Sequence, residues 1–188
     1  MASAPIFVYG SLMADEVLTT LLSRIPESRA ASVRGFQRLF VKGQTFPAIM
    51  RADASTPATT AAPPIVRGRL LLDVTDVERQ ILDAFEDDGY EVEEVMVEYD
   101  DGAFDWRAVD ETQPADSEGS SSDAVAASSP HQHQHQHQQH HMLAVAYVWP
   151  QQLAHQLDDV RWSYRQFRQM HLERFVRMAG DWRKQLQL

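Results

Sequence analysis

The 188-residue sequence predicts an α+β fold, and two observations carry that expectation. Six extended stretches and two amphipathic helical stretches follow one another irregularly between residues 6 and 149, and a helical tail follows Pro150. A chain of this length supports one core of ordinary size with additions around it. The expected division is a domain over residues 1–150 and a C-terminal helical extension over residues 151–188.

Taken in order, Ile6, Phe7 and Val8 read as a short buried strand. "ADEVLTTLLSRI" reads as a helix with Asp15 and Glu16 in its first turn, where the helix dipole favours acids. The stretch "YGSL" therefore falls between the end of a strand and the start of a helix. "SVRGFQRLFV" (32–41) alternates as one strand, "FPAIM" (46–50) is a shorter extended piece, and residues 51–64 form an Ala-, Thr- and Pro-rich loop. "IVRGRLLLDV" (65–74) is again extended. Thr75 and Glu78 then fit a capping box, and Val77, Ile81, Leu82 and Phe85 recur at helical spacing, which predicts a helix over 76–85 with Gly89 as its stop.

Residues 91–99 return to strand, with Val95, Val97 and Tyr99 on one face, and "MLAVAYVW" (142–149) is the last strand, closed by Pro150. Between them, residues 100–141 are rich in Asp, Ser and His-Gln repeats and too poor in apolar residues to bury anything, so they read as a disordered low-complexity insertion. In the tail, Ser163 and Gln166 fit another capping box. Phe167, Met170, His171, Phe175, Met178 and Trp182 form one stripe, with Gly180 as a breaker.

The formal charge of -10 is unevenly placed, since residues 100–141 hold eight acids and one base. A net acidic field opposes nucleic acid and anionic membranes, so neither is an expected partner. Six arginines between residues 161 and 183 mostly fall off the apolar stripe, which fits a helix docked on an acidic core better than one meeting RNA or a membrane. There is no Cys, which excludes disulfides, thiolate zinc sites and a Cys nucleophile. The first apolar run is too short for a signal peptide, and no stretch approaches 18 apolar residues, so a soluble cytosolic protein is expected. His131, His133, His135, His137, His140 and His141 are metal-ligand residue types. A repeat of this kind preorganises no geometry and reads as an expansion with incidental metal affinity, so no metal or cofactor site is predicted.

The first motif with chemical content is "FVYGSLM". A strand-to-helix turn offers backbone N–H groups, Gly10 permits close approach, and a helix start favours an anion such as a carboxylate. By itself the stretch is more often a plain turn that needs a glycine. It lacks the pattern of a dinucleotide loop, a P-loop or a nucleophile elbow, and Ser11 has no identifiable activating base.

In ordered combination, "FVYGSLM", "VRGFQRLF", "FPAI", "ILDAFEDDGYEVEEVMVEY", "AYVW" and "WSYRQFRQMHLERFV" make the chain resemble the gamma-glutamylcyclotransferase-like superfamily, most closely its plant avirulence-induced branch. The resemblance covers residues 5–99 and 142–178. It implies a small mixed β-barrel flanked by helices, with a cavity between the loop and an acid at the end of the central helix. It also implies internal attack of a γ-glutamyl α-amine on its own γ-carbonyl, giving 5-oxoproline and a released amine or amino acid without a metal or a covalent enzyme intermediate. Carried onto this chain, Tyr9, Gly10, Ser11 and Leu12 are the loop that takes the substrate's α-carboxylate end, and Glu86 is the base. Tyr90 and Tyr147 are further candidates for lining the pocket with a hydroxyl on the ligand; an aromatic on a buried strand is more often core. Asp87 and Asp88 are expected to be surface acids.

Many members of the family carry Arg at the position of Val92, which bears on substrate preference more than on the central chemistry. The substrate class is thus a γ-glutamyl amine or peptide, and the leaving group is left open. The alternative reading is a non-catalytic ligand-binding or stress-signalling module that keeps the cavity and meets a partner through its tail helix or His tract.

Overall fold

A computed structural model of the chain describes residues 3–52, 63–86, 89–102, 104–110 and 140–186. Its first strand, β1 (Ile6–Val8), is apolar at every position because both of its faces are buried. Phe7 points into one apolar cluster with Val33, Val66, Leu70, Val95 and Ala146, while Ile6 and Val8 belong to a second cluster beneath the helices. A strand buried on one face only would alternate; this one cannot.

Helix α1 (Asp15–Leu22) follows a 3-10 turn at Ser11–Met13 and carries Asp15 and Glu16 in its first turn, as expected. Four strands follow: β2 (Ser28–Arg34), β3 (Phe36–Val41), β4 (Pro47–Arg51) and β5 (Ile65–Leu71). The single strand expected over 32–41 is two, because Gly35 adopts φ +79°, a conformation that ends one ladder and starts another. Helix α2 (Asp76–Phe85) begins with the predicted capping box: Glu78 N–H donates to Thr75 Oγ1 at 3.3 Å, and Thr75 N–H donates to Glu78 Oε2 at 2.8 Å. Arg24 clamps the same carboxylate at 2.5 and 2.7 Å and, chiefly through that hydrogen bond, holds it down at about 2.

Strands β6 (Glu91–Tyr99) and β7 (His140–Val148) pair antiparallel over nine residue pairs, from Glu91 against Val148 to Tyr99 against His140. The order β1-β5-β2-β6-β7 closes on itself through a parallel pairing of Ile6 with Val145, giving a five-stranded barrel. Strand β4 joins the outer edge of β7 at Ile49 and Val148, and β3 and then β8 (Leu157–Arg161) extend that arm. The fold is therefore α+β, a small barrel with added strands and helices.

The tail departs from the expected helical reading with its break at Gly180. A 3-10 turn at Gln151–Gln156 and strand β8 come first, and the helical part is divided into α3 (Tyr164–Met170) and α4 (Leu172–Gln185) by His171. Gly180 does not break α4; it lies inside the helix against α1, where a Cβ would meet Thr20 Cγ2 at 3.6 Å. Of the predicted stripe, Phe167 and Phe175 are buried, whereas Met170 is exposed. Two tail arginines hold the extension to α1: Arg168 pairs with Glu16 at 2.7 Å, and Arg183 donates to the Leu21 carbonyl at 3.0 Å. No helix among the described residues is long and apolar enough to cross a membrane. His131, His133, His135 and His137 lie outside the described residues; His140 and His141 begin β7.

Candidate functional site

Every residue singled out in the sequence for the loop, the base and the pocket wall lines one cavity of about 340 Å³: Tyr9, Gly10, Ser11, Leu12, Glu86, Tyr90 and Tyr147. The loop arrives there because β1 ends at Val8 and the chain tightens into the 3-10 turn. Met13 N–H donates to Gly10 O at 3.1 Å and Ala14 N–H to Ser11 O at 3.0 Å. The N–H groups of Gly10, Ser11 and Leu12 precede the first amide that this turn can satisfy, so the turn itself gives them no acceptor. Gly10 sits so close to β4 that a Cβ would lie 3.1 Å from Pro47 Cγ.

Glu86 reaches the cavity because α2 stops at Phe85. Residue 86 turns extended (φ -73°, ψ 136°) while its N–H still donates to Leu82 O at 3.0 Å. Gly89 is not the stop that the sequence suggests. The residues with left-handed backbone among those described are Ser23, Gly35 and Gly43. Gly89 instead lets the ring of Trp149 pack against the backbone, where a Cβ would be 3.0 Å away. Asp87 and Asp88 lie outside the described residues.

Glu86 is half-buried and is the single acid among the described residues that line the cavity. Its charge is felt by two phenols. Burial first, and then the Glu86 carboxylate, push Tyr9 well above the usual tyrosine range. Tyr147 is raised by burial, by its hydrogen bond to Asp83 and, more weakly, by Glu86. Both phenols are consequently neutral dipoles at physiological pH.

Their hydroxyls are already engaged in the protein. Tyr9 OH donates to the Tyr147 carbonyl, tying the end of β1 to β7, and Tyr147 OH donates to Asp83 Oδ1 at 2.7 Å. Asp83 also accepts from Arg79 Nε at 2.7 Å. Tyr90 OH donates to the Pro47 carbonyl at 3.0 Å, and its ring meets Trp149 edge-on at 5.1 Å. The three tyrosine hydroxyls therefore brace the wall as donors, Tyr90 and Tyr147 among them.

Arg38 braces the loop from behind, donating to Tyr9 O at 3.0 Å. Burial is the main influence on this guanidinium and pushes it down to about 10, against the pull of Asp110. Arg38, Arg67 and Arg161 line a separate cleft of about 450 Å³ that contains none of the predicted site residues.

Three cavity residues come from a part of the chain that sequence reasoning treated as a docked extension: Phe175, Met178 and Trp182 of α4. Phe85, next to the acid, meets Phe175 edge-on at 6.0 Å and Trp182 at 5.1 Å. Their spacing at positions i, i+3 and i+7 was the available signal, but a stripe does not say whether it faces a core or a cavity. Phe46 and Pro47 also line the cavity, Pro47 against Gly10 of the loop.

A family model described as "Gamma-glutamyl cyclotransferase, AIG2-like" matches residues 6–119. "AIG2-like protein D" of Arabidopsis thaliana is 31% identical over 183 residues, covering 97% of this chain and 91% of that protein. "AIG2-like protein C" of the same plant is 38% identical over 96 residues, 51% of each chain. In fold, the chain is similar to a solution structure of an Arabidopsis thaliana protein with a TM-score of 0.52 at 21% identity, covering 98% of this chain and 93% of the other.

Proposed function

Because the chain belongs to the gamma-glutamyl cyclotransferase, AIG2-like family, we propose that it cleaves a γ-glutamyl amine or γ-glutamyl peptide by internal cyclisation, releasing 5-oxoproline. The observation that supports this reading is the meeting of the Tyr9–Leu12 loop and Glu86 in one cavity. In this reading the N–H groups of the Tyr9–Leu12 loop hold the substrate's α-carboxylate, and Glu86 faces its α-ammonium group.

Glu86 takes a proton from the α-ammonium. The freed amine attacks the γ-carbonyl carbon and forms the lactam C–N bond. The original amide C–N bond then breaks as the leaving nitrogen receives a proton, so that over the whole reaction two protons pass from the α-nitrogen to the departing amine. No water is consumed. Holding the substrate folded back on itself supplies much of the rate, since orientation of an intramolecular reaction is worth roughly 7–11 kcal/mol. The rings of Phe85 and Trp182, 5.1 Å apart, line the same cavity as the acid.

The test is 5-oxoproline release from a panel of γ-glutamyl compounds by wild type and Glu86→Gln. Turnover by wild type that Glu86→Gln abolishes supports the assignment; equal inactivity of both proteins on the whole panel overturns it.

A further inference from the structure

The cleft of about 450 Å³ that Arg38 shares with Arg67 and Arg161 carries charge that its own walls do not balance. Asp110 is the single acid among the described residues that line it. That carboxylate is already divided: Arg38 reaches it at 3.3 Å, while Ser163 Oγ, Tyr164 N–H and Arg165 N–H donate to it at 2.9, 3.1 and 2.6 Å. Arg67 and Arg161 are exposed and have no ion-pair partner among the described residues. Arg67 also lines a neighbouring hollow, whose acids are engaged elsewhere: Glu98 with Arg34 at 2.6 Å, Asp105 with Arg107 at 3.6 Å, and Asp100 with the Gly102 N–H at 2.8 Å. A chain of formal charge -10 thus keeps a surplus of two positive charges in one concave place. Such a cleft focuses the field and concentrates anions.

We infer that this cleft is a binding site for a small phosphate monoester with an apolar body, its phosphate paired with Arg67 and Arg161. A phosphate monoester carries about -1.5 to -2 at neutral pH, which matches the surplus. The guanidinium fork suits phosphate oxygens in pairs. The volume exceeds what phosphate alone would fill, and Phe36, Leu39, Ile65 and Val66 give the organic part an apolar wall. Arg38 also donates to Tyr9 O at 3.0 Å, so the cleft and the loop share one guanidinium. The inference does not depend on the cyclotransferase reading.

The experiment is calorimetric titration of the full chain with phenyl phosphate, at an ionic strength held constant with sodium chloride. Saturable binding with a dissociation constant below about 1 mM is expected. Inorganic phosphate, which lacks the ring, and benzoate, which carries one charge, are each expected to bind at least about fivefold more weakly. Arg67→Gln combined with Arg161→Gln is expected to weaken phenyl phosphate about tenfold or more. Arg174→Gln combined with Arg177→Gln removes two exposed arginines from α4 and should bind as wild type does, which separates the place of the charge from its amount. Melting curves establish that both double variants are folded. Should the cleft variant not fold, Gln37→Glu adds an acid to the same rim and is expected to weaken binding at least about threefold. Absence of saturable binding, equal loss in the two double variants, or inorganic phosphate or benzoate binding as tightly as phenyl phosphate overturns the inference.

Discussion

The two walls of the cavity are built by different physics. The barrel wall is pinned by directional bonds: Tyr9 to the Tyr147 carbonyl, Tyr147 to Asp83, Tyr90 to the Pro47 carbonyl and Arg38 to the Tyr9 carbonyl. The α4 wall offers apolar surface, with Phe85 against Phe175 and Trp182, and Phe175 in turn against Phe167 at 5.5 Å. Directional bonds fix position. Apolar contact tolerates variation in what it touches. The two meet at Phe85, one residue before the acid. Removing one bond from the barrel wall should therefore cost little stability, and emptying a ring site on α4 should cost more.

The most severe break is Glu86→Gln. It is expected to lower kcat by roughly 10²- to 10⁴-fold, the usual worth of a positioned acid–base group, with a small change in KM measured by 5-oxoproline release. Activity within tenfold of wild type would place the base elsewhere. Next is Phe175→Ala, which empties a buried ring site and should cost about 3–5 kcal/mol in urea unfolding. A cost below about 1 kcal/mol would mean that α4 contributes little to the fold's stability. Tyr147→Phe removes the donor to Asp83 but leaves Arg79 on that carboxylate, so a loss of about 1 kcal/mol is expected, and melting curves would show it.

The mildest test lies at the far end of α2. Arg24 lowers Glu78 from 4.5 to about 2, so the folded state holds this proton less tightly than the unfolded state. The stability it contributes is full above about pH 4.5 and is lost as pH falls toward 2. Arg24→Met should weaken that pH dependence, leaving the part due to the Thr75 hydrogen bonds, and, because Arg24 is itself partly exposed, cost only about 1 kcal/mol at neutral pH. A larger cost, accompanied by lost turnover, would show that anchoring the start of α2 also sets Glu86 at its end.

Much of the barrel was legible because its periods are clean. Val95 and Val97 alternate as β6 requires, and Thr75 with Glu78 marks the first turn of α2 to the residue. Strand β8 was not legible, because "LDDVR" has two acids and an exposed Val160; it is held by edge pairing to β3 rather than by an apolar face. The division at Gly35 depends on a backbone angle that the surrounding alternation conceals. The loop and the acid could be nominated from motifs some 75 residues apart. Their meeting is a product of the β1–β7 pairing and the end of α2, and no local pattern contains it. The stripe on α4 was equally visible; that its partner is a cavity is decided by where α1 and α2 leave space.

The barrel's seam rests on β1 and β7, whose paired residues Ile6 and Val145 stand far apart in the chain. At ordinary rates of protein synthesis, β7 leaves the ribosome on the order of ten seconds after β1. During that interval the sheet has unpaired edges, the condition under which nascent chains recruit chaperones or aggregate. Because Tyr147 lies on β7, the cavity itself is among the last parts of the molecule to come into existence.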